Sequence, residues 1–276
     1  GNLQAIVGQM YDNFEAEAAK RGPEALAEAK SKRDTGFQIF YVFINIGGVI
    51  DMSKLKHRRG VNAILLVGQI GNQTGYVVAD CITGKTNPSG KLVDTWARHY
   101  EDYPCATEFS SLNGDSDDEF YNEFSGLDGN TDDEFYREGI YVGYRYFDSF
   151  GIMPLYPFGY GKSYTTFSNE VISVTQEGTD IKIWVKVTNT GTEFAGKQVI
   201  QVYFSAPEGE VDRPYQELAG YAKSDLIYPG ESMNVEVVFP IDNFACYDDD
   251  YPARVIPEGD YIIRVGTSSR ETKIEA

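Results

Sequence analysis

The densest set of potentially reactive side chains is an acidic, aromatic phrase that occurs twice. Residues 117–121 have the sequence DDEFY, and the same five residues recur fifteen positions later at 132–136. Closely spaced carboxylates can bind a cation, act as a catalytic acid and base, or simply cover a solvated surface. Three interpretations therefore stand side by side: a calcium loop, a pair of catalytic carboxylates, and a duplicated loop without chemistry.

The second copy partly resembles an EF-hand calcium loop. Asp128, Asn130 and Asp132 alternate as the first ligands of such a loop do. The second half does not fit, because Asp133 stands where a glycine is needed for the turn and Gly139 stands where the bidentate glutamate belongs. We therefore predict no metal site.

Sugar binding is a further hypothesis for the repeat region, residues 115–138. Tyr121 and Tyr136 would stack on sugar rings while the neighbouring carboxylates accept hydrogen bonds from hydroxyl groups. A duplicated surface insertion explains the same residues without a ligand, and we favour it. We also predict that the first copy is poorly ordered, because it adds charge without adding an apolar periodic face.

Other catalytic chemistries find little support in the sequence. The two histidines, His57 and His99, lie far apart, and His57 belongs to a basic run typical of a surface. The three cysteines, Cys81, Cys105 and Cys246, show neither a metal-binding spacing nor the even number of a disulfide framework. We predict no cofactor, and the thiols fit a reducing compartment.

The charge of the chain limits its partners. The formal net charge is −18 and the pI is near 4.5, which repels phosphate backbones and anionic lipid surfaces. We therefore predict neither nucleic acid nor membrane as a partner. No apolar run is long enough to span a bilayer, and the first residues lack the basic start and apolar core of a signal peptide. Localisation is left open, with the cytoplasm slightly favoured.

The first half of the chain has an α/β pattern. Residues 1–36 predict an N-terminal helical segment, because Ala, Glu, Lys and Leu dominate there. Residues 37–46 and 63–67 are apolar on both faces, which predicts buried strands of a mostly parallel sheet, and 72–83 predict a helix. Residues 105–138 show no clear period and predict a long acidic loop.

After residue 166 the pattern changes to short alternating segments. In 181–188, for example, Ile and Val alternate with Lys, Trp and Thr. Turn residues such as Asn-Thr-Gly and Pro-Gly separate the segments. This pattern predicts a β-sandwich with strands at 170–177, 181–188, 199–205, 216–221, 233–239 and 259–265.

A set of phrases in a fixed order carries a family resemblance. They are NIGGVIDM (45–52), VADCITGKTNPSGKL (78–92), YREGIYVGYRYFDSFGIMPLYPFGYGKSYTTF (136–167), VKVTNTGTEFAGKQVIQVYFSAP (185–207), LIYPGES (226–232) and GDYIIRVGTSSR (259–270). Together they resemble glycoside hydrolase family 3, the β-glucosidase and β-xylosidase group. The tyrosine-rich phrase is the most specific of them.

The resemblance implies an architecture and a partner. It implies an α/β sandwich domain (37–167) followed by an all-β fibronectin type III-like, immunoglobulin-like sandwich (168–276). It also implies a catalytic TIM-type barrel domain as partner, in cis or in trans, for which this chain has no sequence left over. Tyr141, Tyr144 and Tyr146 are predicted to pack between the two domains rather than to contact a ligand.

The resemblance also implies where the chemistry lies. The nucleophile of the family is an Asp on the barrel, and the acid/base is usually a Glu in a Ser-x-Glu-Gly-like motif upstream of the first strand. No such motif accompanies the glutamates of the N-terminal helical segment, which are Glu15, Glu17, Glu24 and Glu28. A Gly-Gln-Glu-Gly-Gly phrase of the family is also altered, because Ile70 replaces its Glu. We therefore assign no catalytic residue.

Three functional hypotheses follow. We favour an accessory, non-barrel portion of a family 3 glycoside hydrolase that acts on β-glucosides or related β-glycosides and is inactive alone. The alternative is a stand-alone, degenerate carbohydrate-binding or interaction module that contacts an oligosaccharide, a hypothesis motivated by Ile70 and the missing acid/base motif. A third is a small enzyme whose site is built from the acidic loop around Asp132 and Asp133.

Overall fold

The computed structural model describes most of the second half of the chain and parts of the first. The repeated phrases at 117–121 and 132–136, and most of the predicted N-terminal helical segment, lie outside the described residues. The chain divides into two compact units, residues 1–88 and 89–276. The domain bounds inferred from the sequence stay a prediction. The described residues are 19–20, 22–27, 40–44, 48–56, 61–104, 106, 138–209 and 211–274.

The first unit is built on two parallel strands. β1 (Phe40–Ile44) pairs in parallel with β2 (Val61–Leu66), and the one-turn helix α1 (Ser53–Lys56) lies between them in sequence. A 3-10 turn (Gly71–Gln73) leads into the helix α2 (Thr74–Ile82). A parallel pair needs a crossover connection, and the strand–crossover–strand–helix order confirms the α/β prediction.

The second unit contains a sandwich of two antiparallel sheets. One sheet has the strand order β3-β4-β7 and the other the order β11-β10-β5-β6, while β8 and β9 form a separate hairpin. This arrangement confirms the predicted all-β sandwich. The strands are β3 (Phe167–Glu177), β4 (Asp180–Asn189), β5 (Val199–Ser205), β6 (Glu217–Lys223), β7 (Ser232–Pro240), β8 (Cys246–Asp248), β9 (Ala253–Val255), β10 (Ile262–Gly266) and β11 (Thr272–Ile274).

Strand β4 shows how the sequence builds the core. Ile183, Val185 and Val187 are fully buried, and the residues between them, such as Lys186, point away from the core. Successive side chains of a strand point to opposite faces, so alternation in sequence becomes one apolar and one solvated face. The apolar faces of both sheets, including Val202 of β5, form one continuous hydrophobic core.

Strand β5 is different, because both of its faces are buried. Ile200 and Val202 belong to the sandwich core, whereas Gln201 and Tyr203 lie on the opposite face and are nevertheless only 5% and 0% exposed. Residues 144–159 cover this second face. The ring of Tyr144 lies 5.7 Å from that of Tyr203, with an interplanar angle of 77°. This covered face brings the tyrosine-rich phrase and the sandwich together.

Candidate functional site

Among the described residues, polar and ionisable side chains converge at the tyrosine-rich segment (residues 138–164). Its centre is the helix α3 (Tyr144–Ser149), which follows Gly143 at φ 59° and is followed by Gly151 at φ 66°. Glycine adopts such left-handed angles without the steric cost that a Cβ imposes. The two glycines therefore delimit α3, which packs against the outer face of β5 through Tyr144 and Tyr203.

The side chain of Asp148 on α3 is the hub of a buried network. It is 3% exposed, and its Oδ1 lies 2.6 Å from Nε of Arg270, whose own side chain is 28% exposed. Gln216 donates from Nε2 to Oδ2 of Asp148 at 2.8 Å and to the carbonyl oxygen of Ser269 at 2.7 Å. We call Asp148, Gln216, Ser269 and Arg270 the latch, because they fasten α3 to the ends of two sandwich strands.

Arg270 extends the latch to the backbone of the segment. Its Nη2 donates to the carbonyl oxygens of Phe147 and Ile152, at 2.8 Å each. The last carbonyl groups of a helix have no partner within the helix, so an arginine that reaches them satisfies acceptors and complements the negative end of the helix dipole. One guanidinium thus joins a carboxylate and both sides of the turn that ends α3.

Burial dominates the electrostatics of the latch. It raises the pKa of the Asp148 carboxyl above its ordinary value, although the hydrogen bond from Gln216 and the positive charge of Arg270 act in the opposite direction. Burial likewise raises the pKa of Tyr203, whose hydroxyl donates to Oε1 of Gln201 at 2.6 Å. Both pKa shifts arise because α3 packs onto the β11-β10-β5-β6 sheet, and the side chains of Asp148 and Tyr203 lie between that helix and that sheet.

A second ionic group lies at the other end of α3. Glu217 of β6 accepts from two arginines: its Oε2 lies 3.2 Å from Nη2 of Arg145, and its Oε1 lies 2.7 Å from Nη2 of Arg213. Arg213 also donates to the carbonyl oxygen of Phe244 at 3.0 Å and lies over the ring of Phe204 at 5.6 Å. This carboxylate therefore holds two cations in fixed positions.

Two tyrosines of the segment, Tyr141 and Tyr144, act as packing groups with satisfied hydroxyls. The Tyr144 hydroxyl accepts the backbone N–H of Leu218 at 2.8 Å, and the Tyr141 hydroxyl donates to Oδ1 of Asp212 at 2.7 Å. Burial raises the pKa of Tyr144, and the hydrogen bond to Asp212 raises the pKa of Tyr141. Both contacts join the tyrosine-rich segment to residues of the sandwich or its loops within the second unit, and packing between two domains stays a prediction.

Most of the candidate residues from the sequence are dispersed or not described. His99 and Ile70 are exposed, Cys81 is buried and Cys246 is half-buried. Glu24 is exposed in a helical stretch. The remaining candidates lie outside the described residues: Glu15, Glu17, Glu28, His57, Cys105 and the acidic repeat, including Tyr121, Asp128, Asn130, Asp132, Asp133 and Tyr136.

No group of three or more His, Cys, Asp or Glu side chains placed to hold a metal ion occurs in the part of the chain that the structure describes. Within the described ranges, no helix has the length and apolar character needed to cross a bilayer.

The latch has the composition of an anchor rather than of a hydrolytic centre. Retaining glycoside hydrolysis needs one carboxylate that is free to attack and a second carboxyl that exchanges a proton, about 5–5.5 Å apart. Asp148 is paired with Arg270, and Glu217 is paired with Arg145 and Arg213. Sequence reasoning did not identify this network, because its members are separated by up to 122 positions and the phrases that contain Asp148, Ser269 and Arg270 do not indicate that these residues meet.

Family models match both halves of the chain. Residues 4–144 match the glycosyl hydrolase family 3 C-terminal domain, and residues 198–269 match the fibronectin type III-like domain. Among curated proteins, β-glucosidase A of Butyrivibrio fibrisolvens is 37% identical over 260 residues, which are 86% of this chain and 29% of that protein. Thermostable β-glucosidase B of Acetivibrio thermocellus is 34% identical over 279 residues, 98% of this chain and 34% of that protein.

Solved structures show the same likeness. A β-glucosidase from Paenibacillus barengoltzii superposes with a TM-score of 0.74 at 37% identity, covering 94% of this chain and 26% of that one. β-Glucosidase 3B from Thermotoga neapolitana, solved in complex with glucose, superposes with a TM-score of 0.69 at 36% identity and covers 90% of this chain and 32% of its own. The chain therefore spans about a third or less of the relatives that it matches.

Proposed function

Because the chain belongs to glycoside hydrolase family 3, we propose that it serves as the non-catalytic portion of an enzyme that hydrolyses β-glucosides. The observation that carries this proposal is the coverage of the relatives. The matches cover 86% and 98% of this chain but only 29% and 34% of the two β-glucosidases. Each relative therefore contains a larger part, joined to the matching portion, that has no counterpart here.

The chemistry of the latch supports this division of labour. Asp148 and Glu217, two described carboxylates near the tyrosine-rich segment, are engaged with arginines, so their charge is used for attachment. In the proposed enzyme, the nucleophile comes from the catalytic portion, as the family resemblance implies. The residues of this chain hold α3 and the sandwich in a fixed relation, and such fixed supports keep catalytic groups within the narrow tolerance that transition-state binding demands.

A chimeric enzyme tests the proposal. The matching portion of β-glucosidase A from Butyrivibrio fibrisolvens is replaced by this chain, and hydrolysis of p-nitrophenyl β-glucoside is measured for the chimera and for the isolated chain. We expect turnover by the chimera and none by the isolated chain. The proposal fails if the isolated chain turns over the substrate at a rate near that of the intact relative.

We further propose that this portion contacts the oligosaccharide substrate. The supporting observation is that two aromatic rings of the second unit are strongly exposed, since Tyr221 and Tyr251 are 70% and 76% exposed. Aromatic faces stack on the apolar faces of sugars. Titration calorimetry with cello- and xylo-oligosaccharides should give heat with the isolated chain, and an absence of heat at millimolar sugar would remove this second proposal.

A further inference from the structure

The outer face of the β3-β4-β7 sheet carries an exposed tryptophan. Trp184 of β4 is 36% exposed, whereas the next residue, Val185, is fully buried in the sandwich core. The outer face of the other sheet is covered, since Gln201 and Tyr203 of β5 are almost completely buried. A tryptophan has a large apolar ring, so a strand that keeps this ring at the surface leaves much of its free energy of burial unused.

The strand register places two further apolar side chains beside Trp184. A shift in the pairing of β3 with β4 leaves Ile172 as an extra residue, so Ile172 and Ser173 together oppose Trp184. On the other side of β4, Glu236 of β7 pairs with Trp184, and Val238 follows two positions later on the same face. Ile172 and Val238 are 53% and 44% exposed. Opposite and diagonal neighbours in a sheet lie within reach of each other, so these side chains form one continuous strip.

We define the sheet stripe as the side chains of Ile172, Trp184 and Val238, one from each strand of this sheet. The stripe therefore runs across the strands. Neighbouring strands are about 4.7–4.9 Å apart, so the stripe is about 10 Å long. That length exceeds a single sugar ring.

Polar side chains of both hydrogen-bonding types border the sheet stripe. Lys182 and Lys186 occupy the next outward positions of β4, one on each side of Trp184. Glu170 of β3 and Asn234 of β7 are exposed and lie opposite Lys186. Lysine donates hydrogen bonds, a carboxylate accepts them, and an amide does both. A hydroxyl-rich ligand therefore finds partners of either type on this face.

This composition favours a sugar over a protein or a nucleic acid. The core of a protein–protein interface is depleted of charged residues, and a stable interface buries roughly 800 Å² on each partner. The sheet stripe has only three apolar side chains, and lysines and glutamates surround them. Nucleic acids need a concentrated positive surface, which a face with charges of both signs does not offer. A sugar needs an aromatic face for stacking and polar groups beside it, and this face supplies both.

We propose that the sheet stripe binds a neutral β-linked glucan chain. This site is distinct from the exposed rings of Tyr221 on β6 and Tyr251 in the loop between β8 and β9. The position of the site rests on the strand register, and the choice of a β-glucan rests on the function proposed above. A glucan ring presents its apolar C–H face to Trp184, while its hydroxyl groups extend sideways to the polar border. Such a second contact keeps a polymeric substrate close to the enzyme.

Acrylamide quenching of tryptophan fluorescence tests the site in the intact chain. The chain has two tryptophans, and Trp96 is only 4% exposed, so quenching reports mainly on Trp184. A soluble mixed-linkage β-glucan should lower the quenching constant at least about twofold, because stacking removes the exposed ring face from solvent. Dextran of equal mass is the control for viscosity and crowding. Equal protection by dextran would overturn the proposal.

Substitution of the tryptophan gives an independent measurement, with β-glucan binding followed by affinity gel electrophoresis. Trp184→Thr removes the ring but keeps a residue that favours strands, and it should weaken binding at least about fivefold. Trp184→Tyr retains a ring and should keep most of the binding. Tyr251→Ala is the matched control, because it removes a 76% exposed ring outside this sheet and should leave binding unchanged. Circular dichroism checks that each variant is folded, and the quenching of the unsubstituted chain decides the matter if Trp184→Thr is not.

The remaining outcomes separate the site from the proposed function. Binding that Tyr251→Ala abolishes and Trp184→Thr leaves intact would place the sugar elsewhere and overturn the proposal, as would the absence of any β-glucan binding. Protection of Trp184 that grows with protein concentration in the absence of sugar would indicate a second copy and would also overturn it. An inactive chimera counts against the proposed function alone, while protection of Trp184 by β-glucan still decides the site.

Discussion

Replacement of the two charged members of the latch should have opposite consequences. Asp148→Asn removes a buried negative charge but keeps a side chain of the same shape that can still accept the hydrogen bond from Gln216. Arg270→Gln removes the cation and leaves the Asp148 carboxylate buried, with its Oδ1 no longer facing the guanidinium that lies 2.6 Å away. The two substitutions differ in effect because burial disfavours the charged form of Asp148, and it raises the pKa of this carboxyl despite the nearby Arg270.

The magnitudes follow from the same contacts. Asp148→Asn removes the buried negative charge and leaves Arg270, whose side chain is 28% exposed and can be hydrated, so it should change the free energy of unfolding at pH 7 by between 0 and about +2 kcal/mol. Arg270→Gln leaves an uncompensated buried charge and should cost about 3–5 kcal/mol. The double variant should cost only about 1–2 kcal/mol, because the carbonyl groups of Phe147 and Ile152 lose their shared donor.

The pH dependence has a defined sign. An acid whose pKa is higher in the folded than in the unfolded state binds more protons when the protein is folded, as for Asp148. Its contribution to stability is therefore fully present below the unfolded pKa. That contribution is lost as the pH rises through the folded pKa. Asp148→Asn cannot titrate. The difference in unfolding free energy, wild type minus Asp148→Asn, should therefore decrease as the pH rises from about 3.8, the unfolded value.

Urea unfolding followed by tryptophan fluorescence measures these differences. Both tryptophans belong to the second unit: Trp96 is 4% exposed and pairs with Tyr156 of the tyrosine-rich segment, and Trp184 lies on β4. A loss of more than about 2 kcal/mol for Asp148→Asn at pH 7 would show that the attraction to Arg270 exceeds the cost of burial. That result would refute the reasoning.

Three further substitutions test close contacts in the second unit by the same urea assay. Gly159→Ala should destabilise the protein by at least about 2 kcal/mol, because Gly159 has φ 84° and an added Cβ would overlap the Gln201 amide. Gly178→Ala is the control: Gly178 has φ 62° with open space around it, so this substitution should cost less. Equal costs for the two substitutions would contradict the overlap at Gly159. Asn189→Ala should cost about 3–5 kcal/mol, since this fully buried amide makes four hydrogen bonds, and a loss below about 1 kcal/mol would contradict it. Tyr203→Phe should cost about 1–2 kcal/mol through the lost bond to Gln201, and an unchanged stability would show that the bond adds nothing net.

The strands could be predicted from the sequence where one face is buried and the other solvated. The strand predicted at 181–188 corresponds to Asp180–Asn189, and that predicted at 233–239 corresponds to Ser232–Pro240. Both alternate, and alternation depends only on neighbouring residues. The pairs β8–β9 and β10–β11 involve three-residue strands, β8, β9 and β11, that the pattern did not reveal, because so few residues cannot establish a period.

The burial of the outer face of β5 could not be predicted in the same way. Gln201 is polar, and in an isolated strand it would mark the solvated face. It is 5% exposed because the backbone near Gly159 approaches it and Tyr203 donates to its side chain. Whether a polar strand residue meets water or a distant segment depends on tertiary packing, which local patterns do not encode.

The buried charge of the latch calls for a physical reason. Desolvating a carboxylate costs free energy that Arg270 and Gln216 offset only in part, as the direction of the Asp148 pKa shift shows. A fold selected for stability alone would replace such a group with apolar residues. Retaining it makes physical sense if α3 must be held in one orientation, since the directional contacts of Arg270 fix both the helix end and the turn that presents Phe150.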